Sequence, residues 1–197
     1  MKKTNTFKYQ RLVVAYHGCD ETTRDKVVSG KEHLLKSEKD YDWLGHGIYF
    51  WEHGFDRAFR WAKDRQGKSI KKPSVVGALI QLGNCFDLLD TSYTQLLSFS
   101  FPKYTEDLRL QGKEIPENRA LGPKDHDHVI RNLDCSVVNW TITQLEKMQD
   151  IQVDTVRGVF PEGTPAFPGS YILEKSHIQI SVRNPDCILG YFVPYSE

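Results

Sequence analysis

The chain has 197 residues, the length of one domain, and 39% of them are hydrophobic, enough for a core without disulfide or metal staples. Charged residues make up 26%, which excludes wholesale disorder. Lys plus Arg and Asp plus Glu both number 26, and this zero net charge argues against a sequence-blind nucleic-acid coat.

The neutral total hides an asymmetry. Residues 1–75 carry 16 Lys/Arg against 10 Asp/Glu, a net of +6, and the remainder carries −6. The first third therefore suits an anionic partner. Cys19, Cys85, Cys135 and Cys187 form no C-x-x-C, and Met1-Lys2-Lys3 leads into no apolar h-region. Both point to a cytoplasmic protein with free thiols. The apolar runs fall far short of the ~20 residues a membrane span needs, so no membrane partner is expected.

Leu12 to Tyr16 is a short β-branched run ending at His17-Gly18, which predicts a strand delivering a histidine to a turn. Asp20 can cap a helix running to about Ser29, with Gly30 as its stop. Residues 31–42 are a polar loop. Trp43 to Trp51 is a glycine turn leading into an aromatic strand. Phe55, Ala58, Phe59 and Ala62 then recur at helical spacing. Asp56 falls in the first turn of that helix, Lys63 and Arg65 in its last, and Gly67 follows. The basic stretch Lys68 to Lys72 reads as a solvated turn.

Val75 to Leu82 is a predicted strand that Gly83-Asn84 ends. Residues 86–150 are a helical elaboration in which Val138, Ile142 and Leu145 share a face and Pro102, Pro116 and Pro123 punctuate the chain. Val153 to Phe160 reads as a strand and Pro161 to Ser170 as an ordered loop. Ile178 to Val182 alternates as a half-buried strand, and Cys187 to Val193 closes the chain as another. Strands at both ends with helices between make an α+β domain spanning 1–197.

Gly45-x-Gly47 is not a dinucleotide fingerprint. The third glycine would fall at Phe50, and the turn leads into a strand rather than a helix. Asp125-His126-Asp127-His128 alternates candidate zinc donors, but no cysteine adjoins it to complete a set, so no metal is expected. Trp43 and Trp51 read as core.

Tyr16-His17-Gly18, Gly47-Ile48-Tyr49-Phe50 and Asp56-Arg57-Ala58 occur in an order that resembles the ADP-ribosyltransferase superfamily. The resemblance is to its His-Tyr-acid branch, which includes the poly(ADP-ribose) polymerases. It covers residues 12–62 and, more faintly, 171–193. It implies a split β-sandwich of two mostly antiparallel sheets with peripheral helices. The implied activity is a glycosyltransferase reaction: NAD is cleaved, nicotinamide leaves and ADP-ribose passes to a macromolecular acceptor. A bacterial toxin, an anti-phage factor and a regulatory enzyme all fit it.

By the same resemblance His17 would bind the adenosine ribose of NAD, the Gly18 backbone the nicotinamide amide, and Tyr49 the nicotinamide ring. Gly47 and Ala58 belong to the matched motifs. The helix position that often supplies a second aromatic is Arg60, a departure, and neighbouring Trp61 is the substitute. The third triad member is a Glu in the family. Here the strand offers Gln179 first, with His177 and Glu174 behind it. A glutamine can position a ribose but cannot act as a general base. Arg157 and Glu162 can reach the site from the 153–170 segment, and 160–176 would form the acceptor loop. A mono-ADP-ribosyltransferase is the reading that fits a glutamine. The alternatives are a catalytically inactive module that binds NAD or ADP-ribose, and an enzyme whose acceptor is nucleic acid.

Overall fold

The computed structural model describes residues 8–122 and 127–195, with side chains from residue 11 onward. Asp125 and His126 of the candidate metal stretch, and Pro123, lie outside the described residues. In chain order the elements are β1 (Lys8–Asp20), α1 (Glu21–Val28), β2 (Ile48–Glu52), α2 (Phe55–Lys63), β3 (Pro73–Asp87), α3 (Thr91–Leu110), β4 (Asn118–Arg119), β5 (Ile130–Arg131), α4 (Asn132–Gln149), β6 (Thr155–Phe160), β7 (His177–Val182) and β8 (Ile188–Phe192). The protein is α+β, with one large mixed sheet and a small β4–β5 ribbon.

Local chemistry sets several boundaries. Asp20 caps α1 by accepting from Thr22 N, and its other oxygen accepts from Lys71 N and Lys72 N. These backbone donors, Lys72 first, pull its carboxyl down to about 2. Gly30 takes a positive φ just past the helix end. The α2 helix stops at Lys63, so Arg65 lies beyond its last turn. Pro102 does not interrupt the chain as expected: it sits inside the continuous α3. There it removes one backbone donor, on a helix segment whose Phe99 and Phe101 are already solvent-exposed.

Two expected strand ends are overrun. β1 does not turn at His17-Gly18. It continues to Asp20, because β3 is long enough to pair with it from Lys8↔Asn84 to Asp20↔Pro73. β3 likewise passes through Gly83-Asn84 and changes partner there. Gly83 has a positive φ, and Asn84 N donates to the Asp154 carboxylate. Beyond that bend β3 leaves β1 and runs parallel to β6, from Cys85↔Thr155 to Asp87↔Arg157.

The six strands lie in the order β1-β2-β7-β6-β3-β8, with an extra β1–β3 pairing. The result is two three-stranded halves, β8-β3-β1 and β2-β7-β6, antiparallel within each. Two sheets were expected. Two short seams, β1–β2 and β3–β6, join the halves into one connected sheet instead. The main core fills the space between the halves. Val13, Ala15, Val76, Ala78 and Ile80 meet Ile48, Phe50, Ile180 and Val182. On the opposite side of the second half, α4 lays Val138, Ile142 and Leu145 on Leu44, Phe86 and Val156. α2 covers β1 and β3 with Ala58, which packs on Trp51 and Val75. All four cysteines are free and buried, and burial pushes each thiol up, to about 12 at Cys85.

Arg157 does not reach a cleft. The β6–β7 register sets it opposite Ile180, on the inner face, where it is 4% exposed. Its guanidinium pairs with Glu52 (Nη2 to Oε1, 3.0 Å) and with Asp87 (Nη1 to Oδ2, 3.1 Å). Arg11 adds a second cation to Glu52 at 3.3 Å. Removing the central cation leaves the buried Asp87 carboxylate without a cation and Glu52 with only the half-exposed Arg11. Arg157→Met is therefore expected to lower stability by about 3–5 kcal/mol, read from the urea midpoint. The triple variant that adds Glu52→Gln and Asp87→Asn is expected to recover part of the loss.

Candidate active site

β2 is the centre of the candidate site because it is hydrogen-bonded on both edges. Trp51 is opposite Tyr16 of β1 on one side and Gln179 of β7 on the other. Directly opposed residues share a face. One face of the second half therefore carries Tyr49 with Ser181 and Val156, then Trp51 with Gln179 and Gly158, then His177 with Phe160.

β1 and β2 pair only at Ala15↔Glu52 and Tyr16↔Trp51. Past that point the His17 side chain takes over: Nδ1 lies 2.7 Å from the Tyr49 carbonyl oxygen. A carbonyl can only accept, so Nδ1 carries the proton and Nε2 keeps a lone pair. Burial holds the His17 pKa below 6.5, against the opposing effect of that hydrogen bond. His17 faces Phe50 at 5.7 Å between ring centroids, so it lies on the inner face, while Tyr49 lies on the outer one. The two residues meet through the Tyr49 backbone.

Tyr49 has a committed hydroxyl. It accepts from Leu44 N at 3.0 Å and donates to Gly45 O at 2.8 Å. Burial, then the charge of Asp42, raises its pKa well above 10. Its ring packs against the Leu44, Val138 and Ile142 cluster. The glycines around it are required by close approach. A Cβ on Gly47 would lie 2.3 Å from Ser181 Oγ, and one on Gly18 would lie 2.2 Å from the Ala58 carbonyl oxygen and 3.2 Å from the Trp61 ring. Gly18 is thus needed at least as much for seating α2 on β1 as for any ligand.

Gln179 accepts a hydrogen bond from Trp43 Nε1 at 2.7 Å. The indole only donates, so the amide oxygen must face it and the NH2 group points the other way. Trp43 reaches this position because Gly158 is directly opposite Gln179. A Cβ there would come within 2.8 Å of the Trp43 ring.

Aromatic rings run from His17 to Trp43 in one continuous series. Successive centroids are His17 to Trp61 6.4 Å, Trp61 to Trp51 6.0 Å, Trp51 to His177 6.2 Å, His177 to Phe160 5.5 Å and Phe160 to Trp43 5.3 Å. Guanidinium groups flank the series. Arg65 lies 3.8 Å over Trp61 and Arg131 lies 4.4 Å over Phe160. Arg57 of α2 donates to Glu162 at 2.6 Å, and Glu162 is 3.7 Å from His177 Nδ1. Next to Trp43 and Arg131 a cavity of about 340 Å³, also lined by Leu88, Leu97 and Val138, opens toward α3 and α4.

Three polar atoms in this region are buried without a hydrogen-bond partner: Trp51 Nε1, Arg57 Nε and His177 Nε2. Buried orphans are uncommon, and each calls for a partner such as water or a ligand group. Of the residues singled out from the sequence, His17, Gly18, Gly47, Tyr49, Ala58, Trp61, Glu162, His177 and Gln179 gather along this seam. Glu174 does not. It is exposed in the hairpin that Pro165 and Leu173 close. Trp51 is core, as expected, whereas the contacts of Arg57 and the Trp43 bond to Gln179 were missed. Arg57 stood inside the Asp56-Arg57-Ala58 match, whereas the Trp43 to Gln179 bond spans 136 residues and had no local signal. Among the described residues no group of three His, Cys, Asp or Glu side chains is placed to hold a metal ion. No helix among them is long and apolar enough to cross a membrane.

No family model matches the chain, and no solved structure gives a significant match. The chain is similar to "Uncharacterized protein MJ0359" of Methanocaldococcus jannaschii, at 26% identity over 200 residues, covering 91% of this chain and 86% of that protein.

Tyr49→Phe keeps the ring but leaves Leu44 N without its acceptor and Gly45 O with only the 3.4 Å bond from Ser181 Oγ. It is expected to cost about 1–3 kcal/mol in chemical denaturation. Burial lowers the pKa of both His17 and His177. At pH 7 both imidazoles are mainly neutral in either state. Below 6.5 the unfolded chain takes protons that the folded chain refuses, so stability falls as pH drops toward the lowered folded values. The Tm of wild type is expected to fall more between pH 7 and 5 than that of His17→Gln.

Proposed function

We propose that the protein is an NAD-dependent mono-ADP-ribosyltransferase built on an ADP-ribosyltransferase-like split β-sandwich. The observation that carries this reading is the convergence at one seam of three segments far apart in sequence. His17 donates to the Tyr49 carbonyl, and Gln179 is the strand partner of Trp51, two residues beyond Tyr49. These are the segments in which the sequence resembles that superfamily. The two sheet halves joined only by short seams agree with the implied architecture.

The residue chemistry supports the same reading. NAD presents a flat cationic nicotinamide and an anionic diphosphate. The partly exposed rings of Tyr49 and Trp61 can attract such a cation, by about 0.5–2 kcal/mol each. Arg57 and Arg65, on and just after α2, supply positive charge for the diphosphate. His17 Nε2, held as an acceptor, suits a ribose hydroxyl. The Gln179 NH2, aimed by Trp43, can donate to the other ribose. Breaking the glycosidic bond builds positive charge at the anomeric carbon, and neutral nicotinamide leaves. Negative ends of dipoles and the Glu162 carboxylate are the local groups that stabilise such a centre. The acceptor would be a protein or nucleic acid.

The second reading is a module of the same fold that binds NAD or ADP-ribose without turning it over. Gln179 favours it, since an amide takes no proton and its oxygen is already engaged by Trp43. Under the enzyme reading, purified protein releases nicotinamide from NAD in the presence of a cell lysate, and His17→Ala or Tyr49→Ala abolishes the release. Thermal stabilisation by NAD without any nicotinamide release would instead support the binding module. Neither stabilisation nor release would overturn both.

A further inference from the structure

We infer that His177 is the proton acceptor of this site, the base that Gln179 cannot be, and that the group it deprotonates is an attacking hydroxyl. The inference rests on the proposed NAD chemistry and names the residue and acceptor class within it.

The tautomer follows from geometry. His177 Nδ1 lies 2.8 Å from the carbonyl oxygen of Lys175, which can only accept. Nδ1 is therefore the protonated nitrogen, and Nε2 carries the lone pair. That nitrogen is buried without a partner, on a side chain only 5% exposed. A lone pair in such a place calls for a proton donor, a water or a ligand hydroxyl. Its surroundings favour the second. Two further unpartnered polar atoms are nearby, Trp51 Nε1 and Arg57 Nε, and both are donors only. Together they offer one acceptor and two donors, which matches the hydroxyl-rich edge of a ribose and an incoming alcohol or water.

The other titratable groups of the site are committed. Tyr49 spends its hydroxyl on Leu44 and Gly45. Glu162 is held by Arg57. The groups facing His177 are Trp51 from β2, Phe160 from β6, Arg57 from α2 and Glu162 from the following loop, and Arg131 lies over Phe160. Burial, first, and the positive charge of Arg57 lower the His177 pKa, and the Lys175 bond and Glu162 oppose them. The imidazole therefore stays neutral, and its lone pair stays available, at pH 7.

The step balances as follows. The C–N glycosidic bond of NAD breaks with its electron pair going to the nicotinamide nitrogen. The acceptor oxygen forms the new bond to the anomeric carbon. Its proton goes to His177 Nε2, and the resulting imidazolium later releases it to water. A carboxylate or phosphate acceptor would bring no proton and would leave this base idle.

Water is the simplest hydroxyl acceptor, so the test is NAD hydrolysis by the intact protein. His177→Asn keeps a donor for the Lys175 carbonyl and removes the lone pair. It is expected to slow hydrolysis at least about 100-fold while NAD still stabilises the protein thermally. Below the lowered histidine pKa values wild-type kcat is expected to fall more steeply with acid than that of the variant, which keeps only the His17 contribution. A His177→Asn protein as active as wild type, or one whose acid limb is as steep, overturns the inference and leaves the NAD reading standing. No nicotinamide release by wild type, with water alone or with a cell lysate, overturns the reading and the inference with it. If the variant fails to fold, imidazole nitrogen NMR of wild type decides: the Nδ1–H tautomer at pH 7 supports the inference, and the Nε2–H tautomer overturns it.

Discussion

The interaction on which the site depends is a side chain taking the place of a rung. β1 and β2 form two backbone pairs and then part. At the next position the His17 imidazole donates to the Tyr49 carbonyl. A buried carbonyl must be satisfied, and a ladder bond would do it equally well. Using an imidazole instead lets the two strands diverge without leaving the acceptor unpaired. At the divergence Trp61 lies beside the His17 ring, while Gln179 pairs with the other edge of β2. One hydrogen bond thus fixes the histidine's tautomer and the width of the seam together. Burial keeps the imidazole neutral, so protonation works against both.

The inner face needs its own device, because two sheet halves joined by short seams can slide. Arg157 supplies it. Glu52 is the last residue of β2, at the first seam, and Asp87 is the last residue of β3, at the second. One guanidinium binds both carboxylates. Buried ion pairs add little net stability compared with apolar packing, but they penalise displaced arrangements heavily. A clamp between the two seams therefore holds register more than it adds energy. It also keeps full charges on the side of the sheet away from Gln179 and His177.

Much of this was legible in the sequence wherever the signal was local. The α2 face, the Asp20 cap, the Gly30 stop and the α4 stripe of Val138, Ile142 and Leu145 depend on spacing within a few residues, and each lies where that spacing implies. Alternation in β7 correctly separated Ile180 and Val182 from Gln179 and His177. Illegible were the features set by pairing register. Arg157 looked able to reach the cleft because nothing in its neighbourhood says which face of β6 is inward. Only its alignment with Ile180 does. The run of β1 past His17 and of β3 past Gly83 depends on each strand having the other to pair with. Pro102 looked like a break because its cost is intrinsic, whereas α3 carries it on an exposed stretch.

The site face is built almost entirely from neutral groups, and that choice bears on what it can stabilise. Gly158 exists as a vacancy that lets Trp43 lie across β6 and turn the Gln179 amide. Trp51, Trp61 and Phe160 give ring faces, and the charged residues nearby are mostly paired or stacked at the rim. In such surroundings a cation is attracted by ring quadrupoles rather than by a buried anion. Ring attraction costs no desolvated carboxylate, and a glutamine in the third position fits that economy. In the proposed reaction the negative potential at the anomeric carbon then comes from ring faces and from Glu162, and proton removal is left to a separate group. Division of the two tasks between different side chains follows from replacing a carboxylate, which can do both, by an amide, which can do neither.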